Sequence, residues 1–407
     1  MCYIIYVRFS IELELNTYSI EIYKLLLYIK CMYERKYYLD QLLKFADENT
    51  LKIVSGVSGC GKTELIKEVR DKLNEIQDKL IEDRKPEFYI DFESTTWSDI
   101  SDIFKNLIKY KGPKLYYVII DNFNPTFSWE EDIVSLLENN VSVFITTSNK
   151  SVYQKFITDD KYKSKYRIIK VDSFSYNEMS EYAKSRGINY DVYEYIKYGG
   201  FPDLLDCKSD SERKKILAYR LNKITSEIIA RYNIRKSRAF SAFTRMVVCN
   251  ESPLMPFLAM AKKLSETEKC SANTLTQWMT YLEEAFFVES VSRILFKDKK
   301  ELASKRYYIC DPAFRLLGAV ADDLLELNYE TAFYKCVGSL STCDFIEFRK
   351  KGYEIIFSLS AIKQAYFSDT LDYKNCDSIK ITHQYSSVEK VLEEPLDLET
   401  FFKKSIP

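Results

Sequence analysis

The sequence predicts an α/β fold whose core is a mainly parallel β-sheet covered by helices on both faces. Three observations predict it. Between residues 32 and 175, short apolar segments alternate with segments that carry apolar residues at helical spacing. A glycine-rich turn at residues 56–63 joins the first strand to the first helix, and the strand at 115–120 is apolar throughout. Together these features are typical of a three-layer αβα sandwich.

The elements of this sheet follow one another in a regular order. The predicted strands are 51–55, 87–92, 115–120, 141–146 and 166–171, with helices near 62–80, 97–110, 129–139 and 149–157. We place the domain at residues 32–205. Residues 1–31 form a separate extension, and two interpretations of it stay open: a gene start upstream of Met32, or a real additional hairpin and helix.

The composition excludes several classes of site. A formal net charge of -1 means that contact with nucleic acid or membrane must come from a local patch. The ten cysteines form no C-x-x-C pair, which favours reduced thiols in a cytoplasmic protein over disulfides or zinc. The single histidine, His383, argues against a histidine-based metal site or Ser–His catalysis. No signal peptide or membrane span is recognisable.

The glycine-rich turn is the strongest functional signal. It fits G-x-x-x-x-G-K-[ST], the Walker A phosphate-binding loop of NTPases, and reads Gly56-Val57-Ser58-Gly59-Cys60-Gly61-Lys62-Thr63. Glycines let the backbone curl so that successive N–H groups face a phosphate chain. Lys62 adds positive charge at the β- and γ-phosphates, and the Thr63 hydroxyl is suited to Mg²⁺. A chance turn is the alternative, but the flanking strand and helix favour binding of ATP with Mg²⁺.

A second signal follows the apolar strand at 115–120. It ends in Asp121, which matches the Walker B position that holds Mg²⁺, with an ordinary turn aspartate as the alternative. Many ATPases place a glutamate next, as the base for the attacking water. Here the residue is Asn122, whose amide cannot accept the proton, so hydrolysis is in question. Glu93 and Glu130 are candidates to replace that base. The predicted catalytic residues are thus Lys62, Asp121 and Glu93.

Polar residues also follow the strand at 141–146. Ser148 and Asn149 lie just beyond its end, beside the Walker B strand. One interpretation is that they contact the nucleotide and sense its γ-phosphate. The other is that they begin the next helix as N-terminal caps, and the two roles are compatible.

Residues 206–320 read as a helical lid followed by a winged helix-turn-helix. Helices are predicted at 257–264 and 274–285, and the strands of the wing at 287–294 and 306–309. The turn between these strands is basic and contains Lys297, Lys299 and Lys300. Such a wing is suited to DNA phosphates. However, Glu283 and Glu284 on the second helix would repel the DNA backbone, so DNA and protein partners both stay open.

Several motifs along the chain resemble those of a prokaryotic family of AAA-class ATPases that carry a C-terminal nuclease-like domain of unknown function. In chain order they are Arg35-Lys36-Tyr37-Tyr38-Leu39, Walker A, Trp129-Glu130 after Asp121, Ile145-Thr146-Thr147-Ser148-Asn149, Ser173-Phe174-Ser175-Tyr176-Asn177-Glu178, Tyr198-Gly199-Gly200-Phe201-Pro202, Arg231-Tyr232-Asn233-Ile234-Arg235 and Tyr307-Tyr308-Ile309-Cys310-Asp311-Pro312. The succession of W-E, S-N and G-G-F-P is more specific than Walker A.

The resemblance implies two further features, and the chain departs from both. An arginine expected before strand 166–171, which would reach a neighbouring subunit's nucleotide, is replaced by Lys165, with Arg167 two residues on. Residues 321–407 should form the nuclease-like domain. Its acidic cluster is absent from the matching segment Lys363-Gln364-Ala365-Tyr366-Phe367, so we expect a degenerate domain without nuclease activity.

Two functions fit these features. One is a weak ATPase that couples its nucleotide state to movement of the lid and winged helix. The other is a nucleotide-dependent switch that binds without hydrolysis and presents its C-terminal half to DNA or to a protein. Asn122 favours the switch, whereas Lys62, Thr63 and Asp121 suit both functions. A protein partner or assembly into a homo-oligomer is compatible with either.

Overall fold

The structure is a computed structural model that describes residues 33–78, 87–92, 116–125, 128–250, 255–266, 268–295 and 300–319. It also describes residues 100, 102, 104 and 105 and short segments between 323 and 397. The chain divides into two compact units, Met1–Lys36 and Tyr37–Pro407. The second unit contains both β-sheets. No helix in the described part of the chain is long and apolar enough to cross a lipid bilayer.

The first sheet has five parallel strands, as predicted, and each predicted strand is confirmed to within one residue at either end. The elements are α1 Lys36–Lys44, β1 Leu51–Ser55, α2 Lys62–Asp78, β2 Glu87–Asp91, β3 Tyr116–Asp121, α3 Glu130–Glu138, β4 Val141–Thr147, α4 Ser151–Thr158 and β5 Tyr166–Lys170. The strand order is β2-β3-β4-β1-β5. Of the helix predicted near 97–110, residues 100, 102, 104 and 105 are described and are helical.

Side chains that alternate along the central strands enter two separate cores. Ile53 on β1 and Val118 on β3 belong to one apolar cluster, whereas their neighbours Val54 and Ile119 belong to the other. Successive residues of a strand point to opposite faces, so both faces of the sheet are covered. This arrangement explains the uninterrupted apolar sequence of β3 and confirms the three-layer α/β sandwich.

The strand order determines which loops meet. β4 pairs with β1 on one side and with β3 on the other, and every pairing in this sheet is parallel. The carboxyl ends of β1, β4 and β3 therefore lie next to one another. In open parallel sheets, ligands bind at this edge.

The remaining elements are mainly helical and end in a second sheet. They are α5 Tyr176–Ser185, α6 Val192–Tyr198, α7 Asp210–Arg231, α8 Ser237–Val248, α9 Phe257–Leu264, α10 Ala272–Glu284, β6 Val288–Leu295, β7 Lys300–Ile309, β8 Cys343–Arg349, β9 Glu354–Leu359, β10 Ser378–Ile381, β11 Ser387–Lys390 and β12 Glu393–Asp397. The helices and the hairpin predicted for the winged-helix segment are present. Ser271 caps α10 by accepting a hydrogen bond from the Thr274 amide, as the sequence indicated.

The second sheet crosses the boundary that we placed at residue 320. Its order is β12-β11-β10-β9-β8-β6-β7, and β6 pairs with β7 in antiparallel and with β8 in parallel fashion. The hairpin of the predicted wing is therefore one end of a sheet that includes the C-terminal strands. The segment 363–367, where the nuclease acids were sought, lies outside the described residues.

A buried carboxylate joins four separate segments of the chain. Asp311, just after β7, is fully buried, and its Oδ2 accepts hydrogen bonds from the Gly200 amide at 2.9 Å and from the Ser173 hydroxyl. The same oxygen pairs with Lys335 Nζ at 3.1 Å. Oδ1 accepts from the Ala313 amide at 2.9 Å. We refer to Asp311, Ser173, Gly200 and Lys335 as the Asp311 junction.

The two glycines of the G-G-F-P motif are required by this junction. Gly199 has φ +69°, and a Cβ atom there would lie 1.8 Å from Asp311 Oδ1. A Cβ atom on Gly200 would lie 1.9 Å from the carbonyl oxygen of Phe174. Only glycine allows the backbone to approach the carboxylate so closely.

We expect Gly199→Ala to destabilise the protein more than Gly187→Ala does. Gly187 also has a left-handed φ, +70°, but a Cβ there would meet no atom within 4 Å. The control should therefore lose about 1 kcal/mol from backbone strain alone. Gly199→Ala adds a clash with Asp311 and should lose roughly 3 kcal/mol or more. Urea unfolding at equal slope measures both losses, and equal losses would contradict the steric role of Gly199.

The strand that leads into the glycine-rich turn contains a buried cation. Lys52 in β1 is fully buried, and its Nζ donates to Ser142 Oγ at 2.7 Å, to the Ala46 carbonyl at 3.5 Å and to the Glu48 carbonyl. Burial lowers the pKa of Lys52 to about 7, opposed by the charges of Glu48 and Asp47. The sequence pattern did not single out this residue.

This buried lysine predicts a pH-dependent stability. A pKa of about 7 in the folded chain lies below the value of about 10.4 for an unfolded lysine. Between these values the unfolded chain binds more protons, so the free energy of unfolding should rise with pH by at most about 1.4 kcal/mol per unit. In Lys52→Met this contribution should vanish, whereas Lys163→Met, at an exposed lysine, should retain it. Urea titrations from neutral to alkaline pH test this, and equal pH slopes in Lys52→Met and wild type would refute it.

Candidate nucleotide-binding site

The Walker A loop lies between β1 and α2, and its glycines have different structural reasons. Gly59 and Gly61 adopt φ values of +83° and +95°, a left-handed backbone that favours glycine. A Cβ atom at Gly61 would meet nothing within 4 Å, so that side of the loop is open. At Gly56 a Cβ atom would lie 2.0 Å from the carbonyl oxygen of Val171. Gly56 therefore allows the close approach of the segment that follows β5.

Lys62 begins α2 and turns back over the loop. It is 7% exposed, and its Nζ donates to the carbonyl oxygens of Gly56 and Val57, both at 2.9 Å. Cys60, inside the same loop, is also buried and donates from its Sγ to the Val171 carbonyl at 3.1 Å. The loop thus holds its ammonium group against its own backbone, at the positive end of a helix.

Asp121 is the centre of a hydrogen-bond cluster at the same edge of the sheet. It is 1% exposed. Its Oδ1 accepts from the Thr63 hydroxyl at 3.2 Å and from the Thr146 hydroxyl, and its Oδ2 accepts from the Tyr89 hydroxyl at 3.0 Å. These donors come from α2, β4 and β2 respectively. The cluster therefore brings together Thr63 and Asp121, as the sequence predicted, and adds Thr146 and Tyr89.

Tyr89 acts as a donor that stays protonated. Burial raises the pKa of its hydroxyl well above the usual range, and the charge of Asp121 and its hydrogen bond raise it further. The Arg70 guanidinium lies 5.2 Å from the centre of the tyrosine ring. Tyr89 lies on the strand next to β3, three residues into β2. Sequence reasoning missed it because the strand order was not yet known.

The Thr63–Asp121 pair fits a magnesium ion. The two oxygens are 3.2 Å apart. Neighbouring ligands of an octahedral Mg²⁺ at about 2.1 Å lie about 3 Å from each other. Hydroxyl and carboxylate oxygens are also the ligands that this cation prefers in phosphate sites. Both residues therefore suit the predicted role.

The residue after Asp121 faces a carboxylate on the neighbouring strand. Asn122 has φ +57°, which asparagine tolerates, and its amide nitrogen Nδ2 donates to Asp91 Oδ1 at 3.4 Å. Asp91 is the last residue of β2 and stands opposite Asp121 in the parallel register. The structure thus places an acid beside Asn122. The sequence signal was available, because Asp91 ends an apolar strand just as Asp121 does.

The two glutamates proposed from the sequence differ in outcome. Glu93 lies outside the described residues, so its role stays a prediction. Glu130 is buried at the start of α3, where its Oε2 accepts from the Ser128 hydroxyl at 2.9 Å and from the Trp129 amide at 3.0 Å. Its contacts are those of a residue that satisfies the N-terminus of a helix.

Asn149 performs the helix-starting role. Its Oδ1 accepts from the Ser151 amide at 3.1 Å and from the Ser151 hydroxyl at 2.7 Å, and its Nδ2 donates to Asn124 Oδ1 at 3.1 Å. Ser148 is half-buried in the turn between β4 and α4. Their sensing of a γ-phosphate stays a prediction. It is Thr146, one turn of the strand earlier, that contacts Asp121.

Helix α7 contacts the Walker A loop directly. Arg220 donates from Nη1 to the Gly59 carbonyl at 3.1 Å and pairs through Nη2 with Asp203 at 2.8 Å. The Ser58 hydroxyl donates to Glu227 Oε1 at 2.9 Å. These residues are more than 150 positions apart in the chain. No local sequence signal could have paired them.

The residues expected to contact other molecules are engaged within the chain or undescribed. Lys165 pairs with Glu138 at 2.8 Å, and Arg167 with Glu48 at 3.0 Å. Lys297 and Lys299 lie outside the described residues, and Lys300 begins β7. Contact of the wing with DNA, and of Lys165 with a neighbouring subunit, therefore stay predictions.

Glu284, expected to repel DNA, has an internal role. Its Oε2 accepts a hydrogen bond from the Tyr232 hydroxyl, and its carbonyl accepts from the Lys150 amide at 2.7 Å. Lys150 directly follows Asn149. The end of α10 is thereby attached to the turn after β4, close to the site.

Two protein-family models match the chain. Residues 48–180 match the model of an AAA domain, and residues 189–322 match that of a domain of unknown function (DUF8612). The first range contains the Walker A loop, Asp91, Asp121 and Asn149. The chain thus carries a P-loop domain of the AAA class, followed by a domain to which no function is attached.

Related proteins and structures cover most of the chain. An uncharacterized protein of Haemophilus influenzae is 26% identical over 342 residues, which are 80% of this chain and 81% of that protein. One of Methanocaldococcus jannaschii is 22% identical over 368 residues, with 85% and 77% covered.

Two solved structures are similar at lower levels. The ORC2 protein of Aeropyrum pernix, in ADPNP–ADP complexes, is 12% identical, with 75% of this chain and 96% of that chain covered and a TM-score of 0.41. The ORC1 protein of the same organism, in complex with DNA, is also 12% identical, with 75% and 95% covered and a TM-score of 0.34.

Proposed function

We propose that this protein, whose residues 48–180 form a P-loop domain of the AAA class, binds ATP with Mg²⁺ and hydrolyses it slowly to ADP and phosphate. One observation carries the proposal. The hydroxyl of Thr63 in the Walker A loop and the buried carboxylate of Asp121 lie 3.2 Å apart at the carboxyl edge of the sheet. This is the arrangement that a Mg²⁺–nucleotide complex requires.

The binding roles follow from the geometry of the loop. Backbone amides of the loop between Gly56 and Thr63 bind the phosphate oxygens, assisted by the N-terminus of α2. Lys62 exchanges its bonds to the Gly56 and Val57 carbonyls for bonds to the phosphates, and it remains close to where it already lies. Thr63 and Asp121 hold Mg²⁺, which neutralises charge on the β- and γ-phosphates. Thr146 and Tyr89 keep the Asp121 carboxylate in place.

We assign the general base to Asp91. Asn122 cannot accept a proton, but its amide holds the Asp91 carboxylate at the end of the neighbouring strand. In hydrolysis, Asp91 takes a proton from the attacking water as the bond to the leaving ADP oxygen breaks. The carboxylate is supplied by β2 instead of β3, one strand farther from the Walker A loop. The longer reach of this arrangement accounts for slow turnover.

A nucleotide-dependent switch without hydrolysis is the second candidate. The observation that favours it is the contact of α7 with the Walker A loop through Arg220 and Glu227. Phosphates bound at the loop would bring negative charge near Glu227 and near the Arg220 guanidinium, with opposite effects on these two contacts. Binding alone would then change how α7 packs on the loop.

We expect Lys62→Ala to weaken ATP binding by about tenfold to a hundredfold, because a charge-assisted hydrogen bond contributes roughly 1.5–3 kcal/mol. Equilibrium titration with a fluorescent ATP analogue in the presence of Mg²⁺ measures this affinity. Lys67→Ala removes a partly exposed lysine from the same helix and should leave it unchanged. If both variants bind like wild type, the Walker A assignment is wrong.

Asp91→Asn should lower steady-state phosphate release by about 10²-fold or more, because it removes a general base. ATP affinity should be retained, since Asp91 does not ligate the phosphates. Asp102→Asn, at an exposed carboxylate, is the control. Turnover equal to wild type in Asp91→Asn would overturn the assignment of the base, and absence of release from wild-type protein that binds ATP would favour the switch.

A further inference from the structure

A stretch of the chain around α8 is basic without any balancing acid. From residue 228 to residue 250 there are five arginines and lysines and no aspartate or glutamate. The five are Arg231, Arg235, Lys236, Arg238 and Arg245. The whole chain has a net charge of only -1. This segment is therefore a local source of positive potential, of the kind that the overall composition left as the only route to a polyanion.

The basic stretch borders a groove between α7 and α8, with a volume of about 520 Å³. Its exposed lining is polar: Asn222 on α7, and Ser237, Arg238 and Arg245 on α8. Leu221 and Thr225 on α7 are buried and line its inner part. No acidic side chain is among the residues that line it. We call this feature the α7–α8 groove.

The arginines beside the groove are not used by the fold. Arg235, Arg238 and Arg245 are exposed, and none forms a hydrogen bond or ion pair with any residue that the structure describes. By contrast, Arg213 and Arg220 on α7 pair with Asp210 and Asp203. The unpaired guanidinium groups keep their full capacity for an external anion.

The spacing of these groups suits a chain of anions better than a single one. Arg238 and Arg245 are seven residues apart on α8, so they lie on one face, about 10 Å apart along the axis. Ser241, which also lines the groove, lies between them. A single phosphate could not contact both guanidinium groups at this distance.

We propose that the α7–α8 groove binds the phosphodiester backbone of a nucleic acid. Arginine together with serine, asparagine and threonine is the set of side chains that contacts phosphate and sugar. No aromatic side chain lines the groove, so the bases are not stacked there. Binding is therefore independent of sequence. An acidic protein helix fits less well, because its apolar anchors would meet a polar exposed lining.

This site is separate from the two described above. It lies on α7 and α8, away from the basic turn at Lys297, Lys299 and Lys300 that the sequence predicted as a DNA contact. It also does not depend on nucleotide binding at the Walker A loop. Arg220 and Glu227 reach that loop from α7, and neither lines the groove.

The test measures binding of a fluorescently labelled DNA duplex of mixed sequence by fluorescence anisotropy over a range of salt concentrations. In Arg238→Gln with Arg245→Gln, we expect about tenfold or greater loss of affinity at low salt. The slope of log K against log salt should fall by about two, one for each phosphate contact removed. Single-stranded DNA and RNA of the same sequence serve as further probes of which backbone binds best.

Two controls isolate the groove. Arg238→Lys with Arg245→Lys keeps both charges and should retain most of the salt slope. Lys163→Gln with Lys184→Gln removes two exposed cations elsewhere and should change neither slope nor affinity. Circular dichroism and urea unfolding confirm that each variant is folded. If the double glutamine variant unfolds, Arg245→Gln alone should lower the slope by about one.

Three results would overturn the proposal. The first is a wild-type protein that binds none of the three nucleic acids at low salt. The second is a double glutamine variant with wild-type affinity and slope, which would place any binding elsewhere. The third is labelled poly-glutamate that binds with loss in the same variant while nucleic acids do not bind, which would make the groove a site for an acidic peptide.

Discussion

The Asp311 carboxylate is the interaction on which the assembly of the second unit depends. It receives hydrogen bonds or an ion pair from the segment after β5, from the turn after α6 and from Lys335. Removal of one partner from a buried ion pair costs about 3–5 kcal/mol, because the other charge is left without compensation. The α/β domain and the helices that follow it are therefore joined by a polar centre that tolerates few changes. The adjacent glycines are part of the same constraint.

Helix α7 connects the Walker A loop to the rest of the helical region. Arg220 and Glu227 are seven residues apart and lie on one face, which contacts the loop. Leu221 and Thr225 lie on a different face, which lines the α7–α8 groove. Because a helix moves as a rigid rod over such a length, a change of its packing at the loop would also be felt at the groove.

The candidate site shows which inferences a sequence supports. Lys62, Thr63 and Asp121 were predictable because Walker A and the end of an apolar strand are local patterns. Tyr89, Thr146 and Asp91 were not, since they reach the site only when β2 and β4 flank β3. Asp91 could have been suspected from its place at the end of a strand. Its contact with Asn122 is a property of the pairing register.

The sequence by itself determined the elements of the first sheet, the Walker A loop and the positions of the helices up to α10. These features arise from short-range causes: the alternation of apolar residues, the conformational freedom of glycine and the capping of helix ends. The tertiary structure alone decided the strand order, the Asp311 junction, the burial of Lys52 and the contacts of Arg220 and Glu227 with the loop. Each of these joins residues that are distant in the chain, and such pairs are selected by the packing of the whole core instead of by any local pattern.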